Sequence, residues 1–591
     1  MNVTQKISIF FLLSKLKTVL PRHFKIRLAL LIFLMVFSAF AEIISIGLII
    51  PFLSAITAPS AILENTFIQP FLSFFSISSN NSLILFLTVT FCVAAVISAG
   101  LRLLTLWLQT RFCYSIGANL SSQIYKNSLY QSYSAHISRN SSEFISTIVS
   151  KTSASTSFAI LPTLNILSSS IVLFAITATL IFIQPIVALS AFLLFGSLYG
   201  GVVLLTKKKL NNDSERISYE QDQVIKILQE GFGSIRDILV SNTQEVYLRT
   251  YSLSFHALQK AWSNVEIIKG SPRYIIEALG VISIALLALF FSSEPGGVVG
   301  ALPILGAMAL GAQRMLPILQ LIYSSFSSLR AGFASLSDVL ELLDEPTNEI
   351  LIKASCKRIS LDKKIKIENL KFQYLPDGSN ILNGINLEIQ KGAMIGIIGA
   401  TGSGKSTLID ILMGLLHPSS GNFKVDNTII TETNKFGWQA ELAHVPQSIF
   451  LTDASIAENI ALGIPESDID YDLVKKSAMQ AQIHESILSW KEGYSTIVGE
   501  RGVRISGGQR QRIGIARALY KKASVIIFDE ATSALDSDTE RSVMESIVGL
   551  NKEITIIIVA HRLTTLQDCS NIIELSDGKI LRQGVYNEII N

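Results

Sequence analysis

Six long apolar runs in the first half of the chain constrain its fold more than any other feature. They lie at about 28–53, 82–107, 157–183, 186–205, 274–293 and 297–326. Each is near or above the roughly 20 residues that an α-helix needs to cross the hydrocarbon of a bilayer. Because lipid offers the backbone no hydrogen-bond partners, such runs predict helices. We therefore predict six membrane-spanning helices.

The composition separates this apolar half from a second half that resembles a soluble domain. Mean hydropathy is +0.45 and 49% of the residues are hydrophobic, although the charged residues gather mainly in the C-terminal part. The net charge of +3 is nearly neutral for 591 residues, so nothing favours nucleic acid as a partner. The four cysteines are widely separated, and their spacing predicts neither a metal cluster nor a disulfide framework.

The distribution of positive charge predicts the orientation in the membrane. Segment 206–273 contains ten Lys or Arg residues and segment 108–156 contains four, whereas the loops 54–81 and 294–296 contain none. By the positive-inside rule, both termini and both long segments are cytoplasmic.

The domain boundaries follow from these patterns. Residues 1–27 carry six Lys or Arg residues around a short apolar segment, which predicts a helix on the membrane surface. The first apolar run lacks a small-residue cleavage site and is kept in the mature chain. We predict a cytoplasmic lead-in helix at 1–26, a transmembrane domain at 27–328, a linker at 329–358 and a globular α/β domain at 359–591.

Two features of the membrane half leave alternatives open. Four charged residues lie in apolar stretches: Glu42, Arg102, Glu277 and Arg314. Inserting a charge there costs a free energy of roughly 2.5–3.5 kcal/mol unless the charge is paired with an opposite charge or contacts water. Either a central aqueous pathway accommodates them, or the two arginines lie at the boundary and snorkel. The outer segment 61–76 predicts either a short interfacial helix or an apolar loop packed on the bundle.

A glycine-rich segment in the second half predicts a phosphate-binding loop. It follows the apolar run 394–398, precedes the apolar run 408–413, and therefore lies between a strand and a helix. Glycines let successive N–H groups point inward, Lys405 adds a positive charge, and Ser406 is placed to hold Mg²⁺. The predicted nucleotide-binding residues are Gly399, Ala400, Thr401, Gly402, Ser403, Gly404, Lys405, Ser406 and Thr407.

Further motifs predict the rest of a nucleoside triphosphate site. Asp529 and Glu530 end an apolar strand, which suits a Mg²⁺ partner and a base that polarises the attacking water. Gln447 ends another strand and offers an amide to Mg²⁺ or water. The segment 505–509 opens the helix predicted at 510–519 with a second anion-binding glycine turn. His561 follows the strand predicted at 554–560 and can contact the γ-phosphate.

One aromatic residue precedes the phosphate-binding loop. Tyr374 ends the strand predicted at 364–374 and could stack on an adenine ring. A single aromatic residue at such a position is also a common component of a hydrophobic core. The sequence alone leaves both roles open.

In this order the motifs resemble those of the ATP-binding cassette (ABC) family, specifically its exporter-type half-transporters, over nearly the whole chain. The resemblance implies an all-α six-helix transmembrane domain followed by an α/β P-loop nucleotide-binding domain. Ile505 stands where the family usually has leucine, a conservative change. The implied roles are the adenine-stacking loop at Tyr374, Walker A at 399–407, the Q-loop at Gln447, the X-loop at 500–502, the signature at Ser506, Gly507, Gly508 and Gln509, Walker B at Asp529 and Glu530, the D-loop at 533–536 and the switch histidine at His561.

The resemblance also implies how the chain works. The signature of one subunit would cap ATP held by the phosphate loop of another, so a second copy of the chain is expected to complete two ATP sites. Nucleotide state would then bias a two-state membrane bundle through the segments 132–140 and 231–237. The expected protein is a transport ATPase using ATP and Mg²⁺ in a bacterial inner membrane, with its cassette in the cytoplasm.

The substrate is predicted from two short stretches. Residues 42–52 and 271–277 resemble the corresponding parts of bacterial lipid-linked oligosaccharide flippases. They favour an amphiphile, a lipid-linked glycan, moved outward by alternating access. A peptide, lipid or drug exporter shares the same scaffold. An ATP-gated channel or regulatory subunit is the remote alternative, because gating alone would not require the base Glu530.

Overall fold

The structure is a computed structural model in which the chain divides into two units. The first comprises residues 1–130 and 139–346, and the second comprises residues 131–138 and 347–591. The structure describes residues 9–48, 52, 79–183, 185–292, 297–347, 357–375, 378–499, 502–531, 536–549, 553–560 and 562–590.

Long helices form the first unit. A helical run α5 over residues 141–183 includes two π-helical segments, at Ser146–Lys151 and Thr156–Ile160. The helix α4, Tyr133–Ser138, belongs to the second unit. The other helices are α1 Ile9–Val19, α2 Arg22–Gly47, α3 Asn80–Leu129, α6 Pro185–Gly233, α7 Ile235–Ser241, α8 Gln244–Ser292, α9 Gly297–Ala331 and α10 Phe333–Asp344.

Three helices in the described part of the chain are long and apolar enough to cross a membrane. They cover Arg22–Ser45, Asn80–Leu129 and Ser141–Thr179. The other three predicted spans fall on α6, α8 and α9, where many side chains are outside the described set. The total of six spans therefore remains a prediction. The outer segment predicted at 61–76 also lies outside the described residues.

The N-terminal helix packs within the first unit by one apolar face. Leu12, Leu16 and Leu20 recur at every fourth position of the sequence and are buried. They share a hydrophobic cluster with Leu336 and Leu340 of α10. This spacing places the leucines on one side of a helix, while Lys17 lies off this face and is exposed.

Two sheets organise the second unit. The antiparallel sheet has the order β2-β1-β4-β5, and the larger sheet has the order β10-β9-β3-β8-β7-β6. Strands β9, β3, β8, β7 and β6 are parallel, and β10 is antiparallel to β9. The strands are β1 Lys364–Phe372, β2 Leu382–Gln390, β3 Met394–Gly399, β4 Ser420–Val425, β5 Thr428–Ile429, β6 Leu442–Val445, β7 Val525–Asp529, β8 Thr555–Val559, β9 Asn571–Ser576 and β10 Lys579–Gly584.

Helices cover the larger sheet, and two hydrophobic clusters fill the space around it. One cluster joins β1 and β2 to β3, and it includes the fully buried Trp438, whose Nε1 donates to Leu412 O at 2.7 Å. The other joins the parallel strands to the helices after β6. The helices are α11 Lys405–Leu412, α12 Lys435–Gln439, α13 Ile456–Ile460, α14 Tyr471–Gln480, α15 His484–Leu488, α16 Gly507–Tyr520, α17 Ser537–Val548 and α18 Tyr586–Ile590.

The structure moves two predicted element boundaries and locates one predicted segment. Strand β1 ends at Phe372, opposite Leu382 of β2, so Tyr374 lies beyond the ladder. Helix α16 begins at Gly507 and not at Arg510, because Ser506 caps it. The segment predicted at 231–237 spans the junction between α6 and α7.

Gly421 of β4 occupies a position that no other residue should tolerate. Its φ is +85°, and an added Cβ would lie 2.4 Å from Asn369 O and 2.6 Å from Glu368 O. Backbone atoms cannot rotate away as side chains do. We expect Gly421→Ala to lower the free energy of unfolding by about 2 kcal/mol or more. Thermal unfolding of the detergent-solubilised chain measures this.

The matched control for that substitution is Gly463→Ala. Gly463 has the same φ of +85°, but nothing lies within 4 Å of its added Cβ. The control therefore carries only the cost of the positive φ, which is about 1 kcal/mol. Equal losses in the two variants would show that the contact with β1 is not a constraint on the fold.

Candidate nucleotide-binding site

The phosphate loop, Gln447, Asp529 and Glu530 gather at one edge of the parallel sheet. Strands β3, β8, β7 and β6 are neighbours in this order, and each runs in the same direction. Their carboxyl ends therefore open on one side, where ligands bind in open α/β sheets. The phosphate loop follows β3, Glu530 follows β7 and Gln447 follows β6 closely.

The phosphate loop has the backbone that its glycines predict. Gly404 has a φ of +99° and caps α11, and an added Cβ would lie 2.7 Å from Leu382 Cδ2. Lys405 Nζ donates to Gly399 O at 2.7 Å and to Ala400 O at 3.0 Å, so its charge lies inside the loop. Ser406 is exposed at the start of α11. This arrangement presents N–H groups and one ammonium to an anion.

Two further features of the loop, a buried hydroxyl and a neighbouring tyrosine ring, are those expected of a nucleotide site. Ser403 Oγ is buried and has no hydrogen-bond partner among the described residues. Tyr374 is 50% exposed, and its hydroxyl lies 3.3 Å from Thr407 Oγ1. Its ring packs edge-on against Phe372, with centroids 5.0 Å apart. The hydrogen bond holds the half-exposed tyrosine ring beside the phosphate loop.

The two carboxylates at the end of β7 have different surroundings. Glu530 has a φ of +50°, and Gln447 Nε2 donates to its Oε2 at 2.5 Å. Burial raises the pKa of Asp529, the neighbouring charge of Glu530 raises it further, and Lys405 opposes the shift. A cation at this position would favour ionised Asp529.

Asp410 is a site neighbour that the motifs did not reveal. It lies on α11 in the helix that follows the phosphate loop. Burial and the charge of Asp529 raise its pKa to about 6. A lone aspartate inside the apolar run 408–413 was the signal that could have identified it.

The raised pKa of Asp410 makes stability depend on pH. Because the ordinary pKa is 3.8, the folded chain binds the proton more tightly than the unfolded chain does. Stability should therefore fall as pH rises from about 4 to about 6. We expect Asp410→Asn to unfold at a higher temperature than wild type at pH 7.5, with the gap closing near pH 4. The exposed Asp472→Asn is the control, and an equal gap for both variants would contradict the prediction.

The signature segment forms a separate helix N-terminus. Ser506 Oγ accepts from Gln509 N at 3.2 Å, and Gln509 Oε1 accepts from Ser506 N at 2.9 Å. This capping box starts α16, and Ser506 and Gly507 are exposed. Gly508 follows in the first turn. The motif thus presents an exposed anion-binding end on the surface of the unit.

Several predicted residues lie outside the described part of the chain. These are His561, Glu500, Arg501 and the segment 533–535 of the predicted D-loop. Among the described residues, no cluster of three His, Cys, Asp or Glu side chains forms a metal site. Ser406, Gln447 and Asp529, the predicted Mg²⁺ partners, offer a hydroxyl, an amide and a carboxylate, which are oxygen donors of the type that Mg²⁺ prefers.

Helix α4 places one more side chain near this site. Burial raises the pKa of Tyr133, and the charges of Asp410 and Tyr374 raise it further. Residues 131–138 form part of the same unit as the cassette. The predicted segment 132–140 therefore contains a tyrosine close to the proposed adenine-stacking residue.

Comparisons with known proteins relate this chain to one family. A family model described as ABC transporter matches residues 382–533. The ATP-dependent lipid A-core flippase of Chromohalobacter salexigens is 30% identical over 400 residues, covering 66% of this chain and 67% of that protein. The leukotoxin translocation ATP-binding protein LktB of Mannheimia haemolytica is 38% identical over 283 residues, covering 48% of this chain and 39% of that protein.

A solved structure agrees with the fold. The structure of a bacterial Atm1-family ABC exporter with ATP bound covers 96% of both chains with a TM-score of 0.78 at 21% identity. The fold and the relatives together define an ATP-dependent exporter, an ATPase whose activity is coupled to transmembrane transport. The chain belongs to the ABC transporter family. The predicted fold class, helical membrane domain followed by an α/β nucleotide-binding domain, is confirmed.

Proposed function

We propose that the chain is a flippase that uses ATP hydrolysis to move a lipid-linked glycan outward across a bacterial inner membrane. The observation that carries the substrate class is the extent of the similarity to the lipid A-core flippase. Its 400 aligned residues exceed the length of the predicted cassette, so the similarity extends into the membrane domain. The resemblance of residues 42–52 and 271–277 to lipid-linked oligosaccharide flippases supports the same class.

The residues at the sheet edge would each have a different role in ATP hydrolysis. Lys405 and the loop N–H groups would bind phosphates, and Tyr374 would stack on the base. Glu530, positioned by Gln447, would accept the proton of the attacking water. Bound Mg²⁺, held through Ser406, Gln447 and Asp529, would neutralise charge that develops on the phosphates. The switch residue His561 would contact the γ-phosphate.

The exposed signature supports a dimer. Ser506 and Gly507 present an anion-binding helix end to solvent. In a homodimer this end would close over ATP bound to the partner's phosphate loop, giving two complete sites. ATP would favour closure, hydrolysis would release it, and α4 with its Tyr133 would pass the change to the membrane domain.

A vesicle assay tests the transport proposal. The purified chain would be reconstituted with a fluorescent lipid-linked glycan, and the labelled lipid exposed on each leaflet would be measured by quenching. ATP-dependent movement by wild type, absent with Glu530→Gln, is the expected result. Movement that continues after hydrolysis is lost would contradict a pump.

Peptide export is the second candidate. The leukotoxin translocation proteins favour it, since they are 38–39% identical over 283 residues. Those matches cover 39% of the relatives, however, and so leave most of their length unmatched. ATP-dependent uptake of a labelled peptide into inverted vesicles, without movement of any lipid-linked glycan, would decide for this candidate.

A further inference from the structure

Two polar pockets in the first unit meet on helix α9. The first has a volume of about 320 Å³ and is formed by α2, α3, α5 and α9. The second has a volume of about 350 Å³ and is formed by α6, α8 and α9. Pro317 and Leu321 line both pockets. Each volume is within the range of roughly 300–1,000 Å³ found for small-molecule sites.

The first pocket is polar but has no net charge among its lining residues. Arg102 Nη1 donates to Glu42 Oε1 at 3.2 Å, and the Glu42 side chain is only 5% exposed. Gln109 Nε2 donates to Asn165 Oδ1 at 2.5 Å. The remaining polar lining consists of uncharged hydroxyl and amide groups, on Ser38, Thr105, Ser168, Ser169 and Gln313.

The second pocket repeats this chemistry. Arg273 Nε donates to Glu277 Oε1 at 2.7 Å, and these two are the charged residues of the lining. Tyr199 Oη donates to Gln320 Oε1 at 2.9 Å. Ser324 adds a hydroxyl. The second pocket therefore also presents a neutral pair, an amide and hydroxyl groups.

Polar side chains make up most of the lining of both pockets. Polar side chains within a membrane are costly unless they meet one another, water or a ligand. Ser98 continues the polar face of α3 one turn before Arg102, and its Oγ is buried with no partner among the described residues. A polar lining in this setting favours a ligand that forms hydrogen bonds.

The pairing of every described arginine of these pockets with a glutamate indicates the class of ligand that the pockets can bind. A phosphate needs cations that are free to neutralise it, whereas each described guanidinium in these pockets already faces a carboxylate. A hydroxyl can accept from the remaining N–H groups of arginine and donate to a carboxylate or an amide oxygen. A ligand rich in hydroxyl groups and without charge satisfies both partners.

We propose that the two pockets beside Pro317 and Leu321 bind an uncharged, polyhydroxylated headgroup, the saccharide part of an amphiphile. This inference rests on the proposed flippase function and names the residues that recognise its substrate. Glu42 with Arg102 and Arg273 with Glu277 form hydrogen bonds to the sugar hydroxyls. The hydrocarbon part remains outside the pockets, in contact with the apolar helix surfaces.

Stimulation of ATP hydrolysis in lipid nanodiscs tests this site. The probes are a polyprenyl-diphosphate lipid carrying a neutral trisaccharide, the same lipid carrying a trisaccharide of uronic acids, and the same lipid without sugars. The variants are Glu42→Gln/Arg102→Gln and Arg273→Gln/Glu277→Gln, which remove both charges of a pair and so keep the net charge. The second pair is 61% and 46% exposed, so its replacement should not prevent folding.

The matched control is Lys226→Gln/Glu230→Gln, an exposed ion pair of α6 with an N–O distance of 3.8 Å outside both pockets. We expect the neutral glycolipid to stimulate wild type, and each pocket variant to need at least about tenfold more of it for half-maximal stimulation. The control should differ from wild type by less than about twofold.

Each contrary result has a separate meaning. Pocket variants that respond as the control does would overturn the site while leaving the flippase function intact. Equal stimulation by the uronic acid lipid would overturn the selectivity for an uncharged headgroup. Failure of every lipid-linked glycan to stimulate wild type or to be moved by it would overturn the proposed function itself.

Discussion

Replacement of Glu530 by glutamine is expected to lower steady-state ATP hydrolysis by at least about a hundredfold. The backbone N–H of Glu530 donates to Val559 O at 2.9 Å, and Gln447 donates to its carboxylate. These contacts hold the proposed base at the end of β7. Glutamine keeps the volume and the hydrogen bonding of the side chain but cannot accept a proton. Phosphate release by the chain in lipid nanodiscs measures the effect.

The control for this loss is Glu388→Gln. Glu388 is an exposed carboxylate of the antiparallel sheet, and Lys364 Nζ donates to it at 3.0 Å. Its replacement should leave turnover unchanged. ATP binding to Glu530→Gln should also persist, because the phosphate loop is intact. If more than about a tenth of the turnover remained, Glu530 would not be the base.

Lys151→Met is expected to destabilise the first unit by about 3–5 kcal/mol. The Lys151 side chain is 3% exposed, and its Nζ lies 2.7 Å from a carboxylate oxygen of both Asp222 and Asp338. Ser218 Oγ donates to the same oxygen of Asp338 at 2.5 Å. One buried ammonium therefore joins α5, α6 and α10, and methionine would leave two carboxylates without it. Thermal unfolding and the monodisperse fraction in detergent report the loss.

A rescue variant separates charge from packing. Lys151→Met/Asp222→Asn/Asp338→Asn removes the two uncompensated charges and should recover much of the lost stability. Lys226→Met, which removes an exposed partner of Glu230, should cost less than about 1 kcal/mol. A triple variant no more stable than Lys151→Met would mean that shape, and not charge, determines the loss.

The phosphate loop and the residues at the ends of β6 and β7 come together because they follow strands. The loop 399–407 could be interpreted from its glycines, since local backbone sterics decide where positive φ angles are tolerated. Asp529, Glu530 and Gln447 lie at one sheet edge because parallel strands align their carboxyl ends. The hydrogen bond from Gln447 to Glu530 and the charge of Asp529 near Asp410 could not be predicted, since both depend on the order of strands in the sheet.

For the ionisable residues of the apolar runs, too, the sequence predicted one part and the structure added another. Their residue types identified Glu42, Arg102 and Glu277 as costly in a membrane. Arg102 donates a hydrogen bond to Glu42, which is 60 residues away in the chain. This pairing argues against the alternative in which Arg102 snorkels to the membrane boundary. Glu277 pairs with Arg273 on its own helix. The side chain of Arg314 lies outside the described set.

The sequence by itself determined the class of this protein: apolar runs of membrane-spanning length, a phosphate loop between strand and helix, and the motifs that follow it in order. These depend on periodicity and on local backbone conformation, which neighbouring residues decide. Tertiary structure alone decided that Arg102 pairs with Glu42, that Lys151 pairs with Asp222 and Asp338, and that two polar pockets meet at Pro317 and Leu321. Such contacts join residues far apart in the chain, and only the packing of strands and helices brings them together.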